Sequence, residues 1–169
     1  MTVLLRPATP ADAEALATIG RETFVETFGH LYRPDDLAAF LTNHTPANWA
    51  AELADPRFRI LLATAGEATA AYAKLGPPSL PFTPQGTPVE LRQFYVRSPW
   101  HGTGLAADLM ERVLAEARAT GADELYLSVF VDNHRARRFY ERYGFARVGT
   151  YAFMVGTHAD EDHVMRLAL

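Results

Sequence analysis

Two glycines separate an apolar run from a strong helical pattern, and this junction constrains the fold more than any other part of the chain. The run 89–96 predicts a strand, and the apolar spacing within 102–120 predicts a helix. Gly102 and Gly104 fall in the first turn of that helix. Free N–H groups and the helix dipole favour anions there, and glycines let a phosphate approach closely. The junction therefore predicts a pyrophosphate cradle, although the same residues could also form a simple turn.

The rest of the chain alternates between predicted strands and helices, without internal repeats or low-complexity segments. Strands are predicted at 2–6, 58–63, 68–75, 125–131, 145–153 and 162–169. Helices are predicted over 12–28, from 34, from 45 and over 133–143. The 169 residues are the usual length of one domain, so we expect a single domain spanning 1–169.

Charge and composition exclude several classes of function. The net charge of -4 disfavours a general nucleic-acid or membrane-surface partner, and no stretch approaches the length of a membrane span. The absence of cysteine excludes disulfides, thiolate nucleophiles and Cys-ligated metals. No secretory signal is visible in residues 1–10, so we expect a cytoplasmic protein. The histidines lack metal-ligand spacing; we expect no metal, and we interpret 158–163 as a solvated turn before the last strand.

Two known nucleotide motifs fit the glycine junction poorly. A P-loop requires a lysine that the junction lacks. The spacing of Gly102, Gly104 and Ala107 matches the dinucleotide fingerprint, but that fingerprint follows its strand directly. Here five residues, 97–101, intervene. A nucleotide-dependent oxidoreductase is therefore disfavoured.

A second motif lies between the predicted strand 125–131 and the last two strands. It reads Asn-His-Arg-Ala-Arg-Arg-Phe-Tyr-Glu-Arg-Tyr-Gly-Phe over residues 133–145. With the glycine junction, it resembles the GNAT superfamily of acyl-CoA-dependent N-acetyltransferases. The family motif Asn-x-x-Ala-x-x-Phe-Tyr-x-x-x-Gly-Phe is matched in full. The family's Gln/Arg-x-x-Gly-x-Gly/Ala motif is matched from Gly104 to Ala106, with His101 in place of the usual Gln or Arg.

The resemblance implies an α/β (α+β) fold: a mixed sheet of about six or seven strands, helices on both faces, and a splay between strands 4 and 5. It also implies that acetyl-CoA is the cosubstrate and lies in that splay. The residues expected to bind it are Phe94, Tyr95, Val96, His101, Gly102, Thr103, Gly104, Leu105, Ala106, Asn133 and Tyr140.

The family chemistry is direct attack of an amine on the thioester. By this resemblance, Glu90 is the candidate general base and a strand-4 N–H near Val96 stabilises the oxyanion. Tyr140 occupies the position of the phenol that protonates the departing thiolate. Alternatively, Glu90 could be a simple strand-start carboxylate and Tyr140 a packing residue.

The acceptor prediction rests on residues 22–28 and their surroundings. The Glu-Thr-Phe-x-Glu-Thr-Phe run is similar to the PaiA-type branch, whose members acetylate polyamines. Glu22, Glu26, Phe28 and Tyr32 are the candidate substrate-binding residues. The alternatives are an acetyltransferase of protein N-termini, lysines or antibiotic amines, and an acyl-CoA sensor with little turnover. A homodimer is common in the family, but this sequence does not indicate an oligomeric state.

Overall fold

The computed structural model describes residues 2–169 and contains strands and helices in the predicted order. The strands are β1 Leu4–Pro7, β2 Arg59–Ala65, β3 Ala68–Gly76, β4 Pro88–Val96, β5 Glu124–Phe130, β6 Ala146–Val155 and β7 His158–Ala168. The α-helices are α1 Ala13–Phe28, α2 Pro34–Leu41, α3 Pro46–Ala54, α4 Leu105–Ala119 and α5 His134–Arg142.

The strands form one mixed sheet in the order β1-β2-β3-β4-β5-β7-β6. β4 and β5 pair in parallel, and the other neighbours pair antiparallel. The predicted mixed sheet is therefore confirmed.

Helices cover both faces of the sheet, because strand side chains alternate between two apolar cores. One core packs α4 and α5 against the central strands, with Leu109 and Val113 fully buried. The other packs α1 and α3 against β2 and β3, around Ile19, Trp49 and Tyr72. These two layers hold the central strands in place from opposite sides.

The pairing between β4 and β5 is short. It extends only from Pro88–Glu90 to Glu124–Tyr126, and the two strands then diverge. This is the predicted splay. The backbone groups of the second half of β4 therefore face a gap on the β5 side.

The last two strands contradict one prediction. Residues 158–163 begin β7 rather than forming a solvated turn, because the hairpin turns earlier, at Gly156 and Thr157. Gly156 has φ +58°, and Asp36 accepts hydrogen bonds from the N–H and hydroxyl of Thr157, both at 2.8 Å. The polar composition of this run predicts a loop, but its alternate carboxylates, Asp160 and Asp162, point inward and are buried.

Within residues 2–169, no helix is long and apolar enough to cross a membrane. The same residues form no cluster of three or more His, Asp or Glu side chains suited to a metal ion.

Candidate active site

One cleft of about 520 Å³ runs through the splay. Its walls are β4 from Leu91 to Val96 and β5 from Leu127 to Phe130. On one face of the sheet it reaches the start of α4 and the side of α5, and on the other it reaches α1. A ligand in the gap can therefore contact both layers of the molecule. We call the α4–α5 half the donor end and the α1 half the acceptor end.

The donor end is built mainly from backbone. Gly102 and Gly104 have φ of +76° and +89°, values that L side chains rarely adopt, and Gly104 is the N-cap of α4. A Cβ built on either glycine would meet nothing within 4 Å, so the space beside them is open. The helix dipole adds positive potential at this point. The arrangement suits an anion held by N–H groups.

The predicted cradle residues divide by position. Gly102, Gly104 and Ala106 line the cleft. Thr103 instead donates a hydrogen bond to the Trp100 carbonyl at 2.6 Å, and Leu105 is buried in the core. The last two therefore shape the turn, and their side chains do not face the cleft.

Basic side chains rim the donor end. His101 lines the cleft, with Nε2 2.7 Å from the Val96 carbonyl and Nδ1 2.7 Å from a guanidinium nitrogen of Arg135. Arg135 and Arg142 also line the cleft, although neither was predicted as a site residue. The signal that could have found them is the arginine-rich α5 opposite a predicted anion site.

The end of β4 presents a backbone donor to the gap. The N–H of Arg97 donates to Ala70 on β3 at 2.9 Å. Successive N–H groups along a strand point to opposite sides, so the Val96 N–H faces the splay. The Val96 carbonyl faces the same way, in agreement with its contact to His101. A donor in this position can stabilise developing negative charge.

Tyr140 and Asn133 lie where α5 meets the gap. Tyr140 lines the cleft and is only 8% exposed, with its ring edge-on to Phe94 and Phe145. Burial raises the pKa of the Tyr140 hydroxyl, and nearby Tyr95 raises it further. The phenol therefore keeps its proton at neutral pH. The Asn133 side chain caps α5, accepting from the Ala136 N–H at 3.3 Å, and its amide also lines the cleft.

The acceptor end carries two buried carboxylates that were not predicted as site residues. Asp160 accepts a hydrogen bond from the Tyr32 hydroxyl and lies 3.0 Å from the His158 ring. Asp162 is 6% exposed, and its Oδ1 has no hydrogen-bond partner among residues 2–169. Burial raises the pKa of Asp162 to about 7; repulsion by Asp160 adds to this, and a hydrogen bond with Ser128 opposes it.

Aromatic rings surround these carboxylates. Phe24, Phe28 and Tyr32 reach the cleft from α1 and the segment after it, and Phe130 and Phe153 reach it from β5 and β6. Phe24 stacks on Tyr32 with ring centroids 5.9 Å apart, and Phe28 meets Phe130 edge-on at 6.2 Å. Phe28 and Tyr32 are thus the predicted acceptor residues that the fold brings to the cleft.

A model of the acetyltransferase (GNAT) family matches residues 20–145. This chain belongs to that family. An N-acetyltransferase of Mycobacterium tuberculosis described as uncharacterised is 37% identical over 155 residues, which cover 91% of this chain and 96% of the relative. Another, from Lactobacillus delbrueckii subsp. lactis, is 30% identical over 163 residues, which cover 94% and 92%. The protein is therefore an acyltransferase that uses acetyl-CoA as cosubstrate.

Solved structures show the same fold. PaiA N-acetyltransferase from Thermoplasma acidophilum, in complex with coenzyme A, aligns over the whole of both chains with a TM-score of 0.79 at 17% identity. An N-acetyltransferase from Staphylococcus aureus aligns over 99% of both chains with a TM-score of 0.73 at 20% identity. At these identities the likeness concerns the fold alone.

The acetyltransferase fold does not bring Glu90 to the cleft. Glu90 lies where β4 still pairs with β5, and it is 4% exposed. Its carboxylate accepts from the N–H groups of Ser79 and Leu80, at 2.8 and 3.1 Å, and from the Ser79 hydroxyl. It anchors the loop between β3 and β4, and this placement argues against its predicted role as base.

The predicted acidic residues of α1 also lie outside the cleft of the acetyltransferase. Glu22 is exposed and pairs with Arg97 at 2.5 Å. Glu26 is exposed on the same helix, as is Asp35 at the start of α2. Glu22 and Glu26 therefore do not face an amine held at the acceptor end.

Proposed function

We propose that this acetyltransferase transfers the acetyl group of acetyl-CoA directly to a primary amine at the acceptor end of its cleft. The observation that carries the proposal is the continuity of one cleft through the splay. That cleft joins a glycine-lined anion site, a free backbone donor and a buried phenol to an acidic, aromatic end.

The donor end fits the chemical parts of acetyl-CoA. Backbone N–H groups over 102–106 suit the pyrophosphate, and Arg135 and Arg142 add positive charge. The unpaired edge of β4 around Phe94 and Val96 suits the amides of the pantetheine arm. Tyr95, Asn133 and Tyr140 also line this path, while Thr103 and Leu105 hold the turn.

Two groups in the gap suit the acyl-transfer step. Acetyl-CoA supplies a thioester whose carbonyl carbon accepts the amine nitrogen and whose thiolate leaves. The Val96 N–H would stabilise the negative charge on the carbonyl oxygen. The Tyr140 hydroxyl, which is kept protonated by its burial, would give its proton to the thiolate.

The proposed acceptor is a primary amine, without the restriction to polyamines. The polyamine prediction depended on acidic residues of α1, and Glu22 and Glu26 lie outside the cleft. The acceptor end instead offers buried Asp160 and Asp162 among aromatic rings. These groups support an amine that is bound in its cationic form.

Thermal unfolding with acetyl-CoA or NADH, followed by free-thiol release against a panel of amines, tests the proposal. Acetyl-CoA at about 100 times its Kd should add roughly 2.7 kcal/mol to the free energy of unfolding, and NADH should add nothing. Thiol release should require an amine. Stabilisation by acetyl-CoA without release on any amine would instead support the acyl-CoA-binding alternative.

A further inference from the structure

The acceptor end contains a buried carboxylate with one oxygen that the fold leaves without a hydrogen-bond partner. Asp162 lies on β7, between Phe130 of β5 and Tyr151 of β6. Asp162 is 6% exposed and lines the cleft, and its Oδ1 has no hydrogen-bond partner within residues 2–169. Burial of a carboxylate oxygen without a hydrogen-bond donor costs free energy. A site with such an oxygen is therefore suited to a ligand that donates a hydrogen bond to it.

The neighbouring carboxylate, Asp160, has hydrogen-bond partners within the protein. Asp160, two residues earlier on the same face of β7, receives the Tyr32 hydroxyl and contacts His158. Its contacts connect the segment between α1 and α2 to the last hairpin. Asp160 is thus engaged by the protein, and Asp162 remains available to a ligand.

Apart from Asp160, the walls around Asp162 are mainly aromatic. Phe24, Phe28, Phe130 and Phe153 line this end, together with Tyr32. The basic residues Arg135 and Arg142 reach the cleft from α5, on the other face of the sheet. A cationic nitrogen at Asp162 would therefore have a hydrocarbon or aromatic body beside it, with cation–π contacts available.

We propose, building on the proposed function, that Asp162 binds the acceptor's ammonium group and removes its proton. We propose in addition that the acceptor is an amine with one cationic nitrogen on an apolar or aromatic body. Of the two carboxylates that line this end, Asp160 already accepts from Tyr32 and contacts His158, so Asp162 is the one with an oxygen free for a cation. Each further ammonium of a polyamine would have only aromatic walls and the engaged Asp160 beside it, which costs desolvation.

The proton balance of this step is simple. Asp162 Oδ1 takes one proton from the ammonium group, and the nitrogen of the neutral amine forms the new C–N bond with the thioester carbonyl carbon. The C–S bond then breaks, Tyr140 gives its proton to the departing thiolate, and the second nitrogen proton returns to the Tyr140 oxygen through solvent, which leaves a neutral amide and the free thiol of coenzyme A. The groups that face Asp162 are Asp160 on β7, Ser128 on β5, Tyr95 on β4 and Tyr32. With these neighbours, its pKa of about 7 is suited to a base that works near neutral pH.

The first test compares amines on the unaltered enzyme. The probes are 2-phenylethylamine, spermidine and triglycine, each assayed by thiol release with saturating acetyl-CoA. We expect kcat/KM for 2-phenylethylamine to exceed that for spermidine and triglycine at least tenfold. A preference for either of the other two, or acetyl-CoA binding without release on 2-phenylethylamine, would overturn the substrate class.

The second test isolates Asp162. Asp162→Asn should lower kcat/KM for 2-phenylethylamine about 10²-fold or more and remove its acidic limb near pH 7. Thermal stabilisation by acetyl-CoA should be unchanged. Glu161→Gln is the matched control, since it removes the same charge from the exposed face of β7 and should stay within about twofold of wild type.

The outcomes separate the two proposals. Retention of more than half the activity, or of the acidic limb, in Asp162→Asn would overturn the role of Asp162 while leaving amine acetylation intact. If wild-type protein shows neither stabilisation by acetyl-CoA nor thiol release on any amine, the proposed function itself fails. If Asp162→Asn does not fold, the comparison of amines on the wild-type enzyme still tests the proposed substrate class.

Discussion

The two ends of the cleft are built by different means. The donor end is built mainly from backbone: a strand edge, a turn with two positive-φ glycines and a helix N-terminus, all within residues 94–106. The acceptor end consists of side chains from α1, the segment before α2 and the last hairpin, and the hydrogen-bonded residues Tyr32 and Asp160 are 128 positions apart. Recognition by backbone leaves a compact pattern in the sequence, whereas a site assembled from distant side chains leaves none.

The same contrast separates two buried carboxylates. Glu90 is on a predicted strand near the predicted donor site, and its carboxylate is occupied by hydrogen bonds from the N–H groups of Ser79 and Leu80. Asp162 lies where the polar run 158–163, which predicts a turn, meets the predicted strand 162–169, and its Oδ1 has no hydrogen-bond partner among the described residues. Proximity in sequence therefore favours Glu90 as the base, whereas burial and hydrogen bonding favour Asp162.

The largest expected effect tests whether the Tyr140 hydroxyl, which lies between the two ends, takes part in the reaction. Tyr140→Phe should lower kcat about 10²–10³-fold, because the thiolate would lose its proton donor. Acetyl-CoA affinity should stay within about twofold, since the ring and its packing are retained. Isothermal titration and thiol release measure the two quantities separately.

Tyr143→Phe is the matched control. It removes a hydroxyl at the end of the same helix, where Tyr143 does not line the cleft and its ring packs on Phe139, which does. Its kcat should be close to that of wild type. Equal losses of kcat and acetyl-CoA affinity in Tyr140→Phe would indicate a packing role instead.

Much of the fold and of the donor end could be predicted, because each feature depends on neighbours in the chain. The apolar stripe of α4, its glycine start and the Asn133 cap are all local patterns. The acceptor end could not be predicted in this way. Whether Asp162 faces solvent or the cleft depends on where the β6–β7 hairpin turns, and Asp36 of α2 fixes that turn through Thr157.

The second prediction concerns how much the buried Asp162 carboxylate lowers the free energy of unfolding. The pKa of Asp162 is raised from 3.8 to about 7 in the folded state. The folded protein therefore holds a proton that the unfolded chain loses, and the free energy of unfolding falls as pH rises between these values. Asp162→Asn should be more stable than wild type at pH 8 by on the order of 3–4 kcal/mol.

Chemical denaturation at pH 4 and pH 8 measures this difference. At pH 4 wild type and Asp162→Asn should be nearly equal, because Asp162 is then mostly protonated in the folded state. Glu161→Gln should show no comparable pH dependence. A stability difference that is the same at both pH values would mean that burial does not penalise the Asp162 charge.

The third prediction tests the backbone character of the donor end. Gly104→Ala should weaken acetyl-CoA binding about tenfold, because its Cβ enters the open space beside the cradle. Gly121→Ala is the control, since Gly121 has nearly the same φ, +86° against +89°, at the other end of α4. Both variants should lose about 1–2 kcal/mol of stability from left-handed strain.

The comparison of the two variants separates strain from binding. Stability is read from denaturant unfolding without ligand, and affinity from titration with acetyl-CoA. If Gly121→Ala weakens acetyl-CoA binding as much as Gly104→Ala does, strain transmitted through α4 explains both losses. The cradle would then have no direct role.

The smallest expected effect distinguishes an anchor from a base. Glu90→Gln keeps an oxygen that can accept from the Ser79 and Leu80 N–H groups but loses the charge. It should reduce stability by about 1 kcal/mol, the value of charge assistance in such hydrogen bonds. Its kcat/KM and the acidic limb of its pH profile should match those of wild type. If Glu90→Gln removed that limb and Asp162→Asn kept it, the sequence pattern would have located the base correctly, and the orphan carboxylate of β7 would serve binding alone.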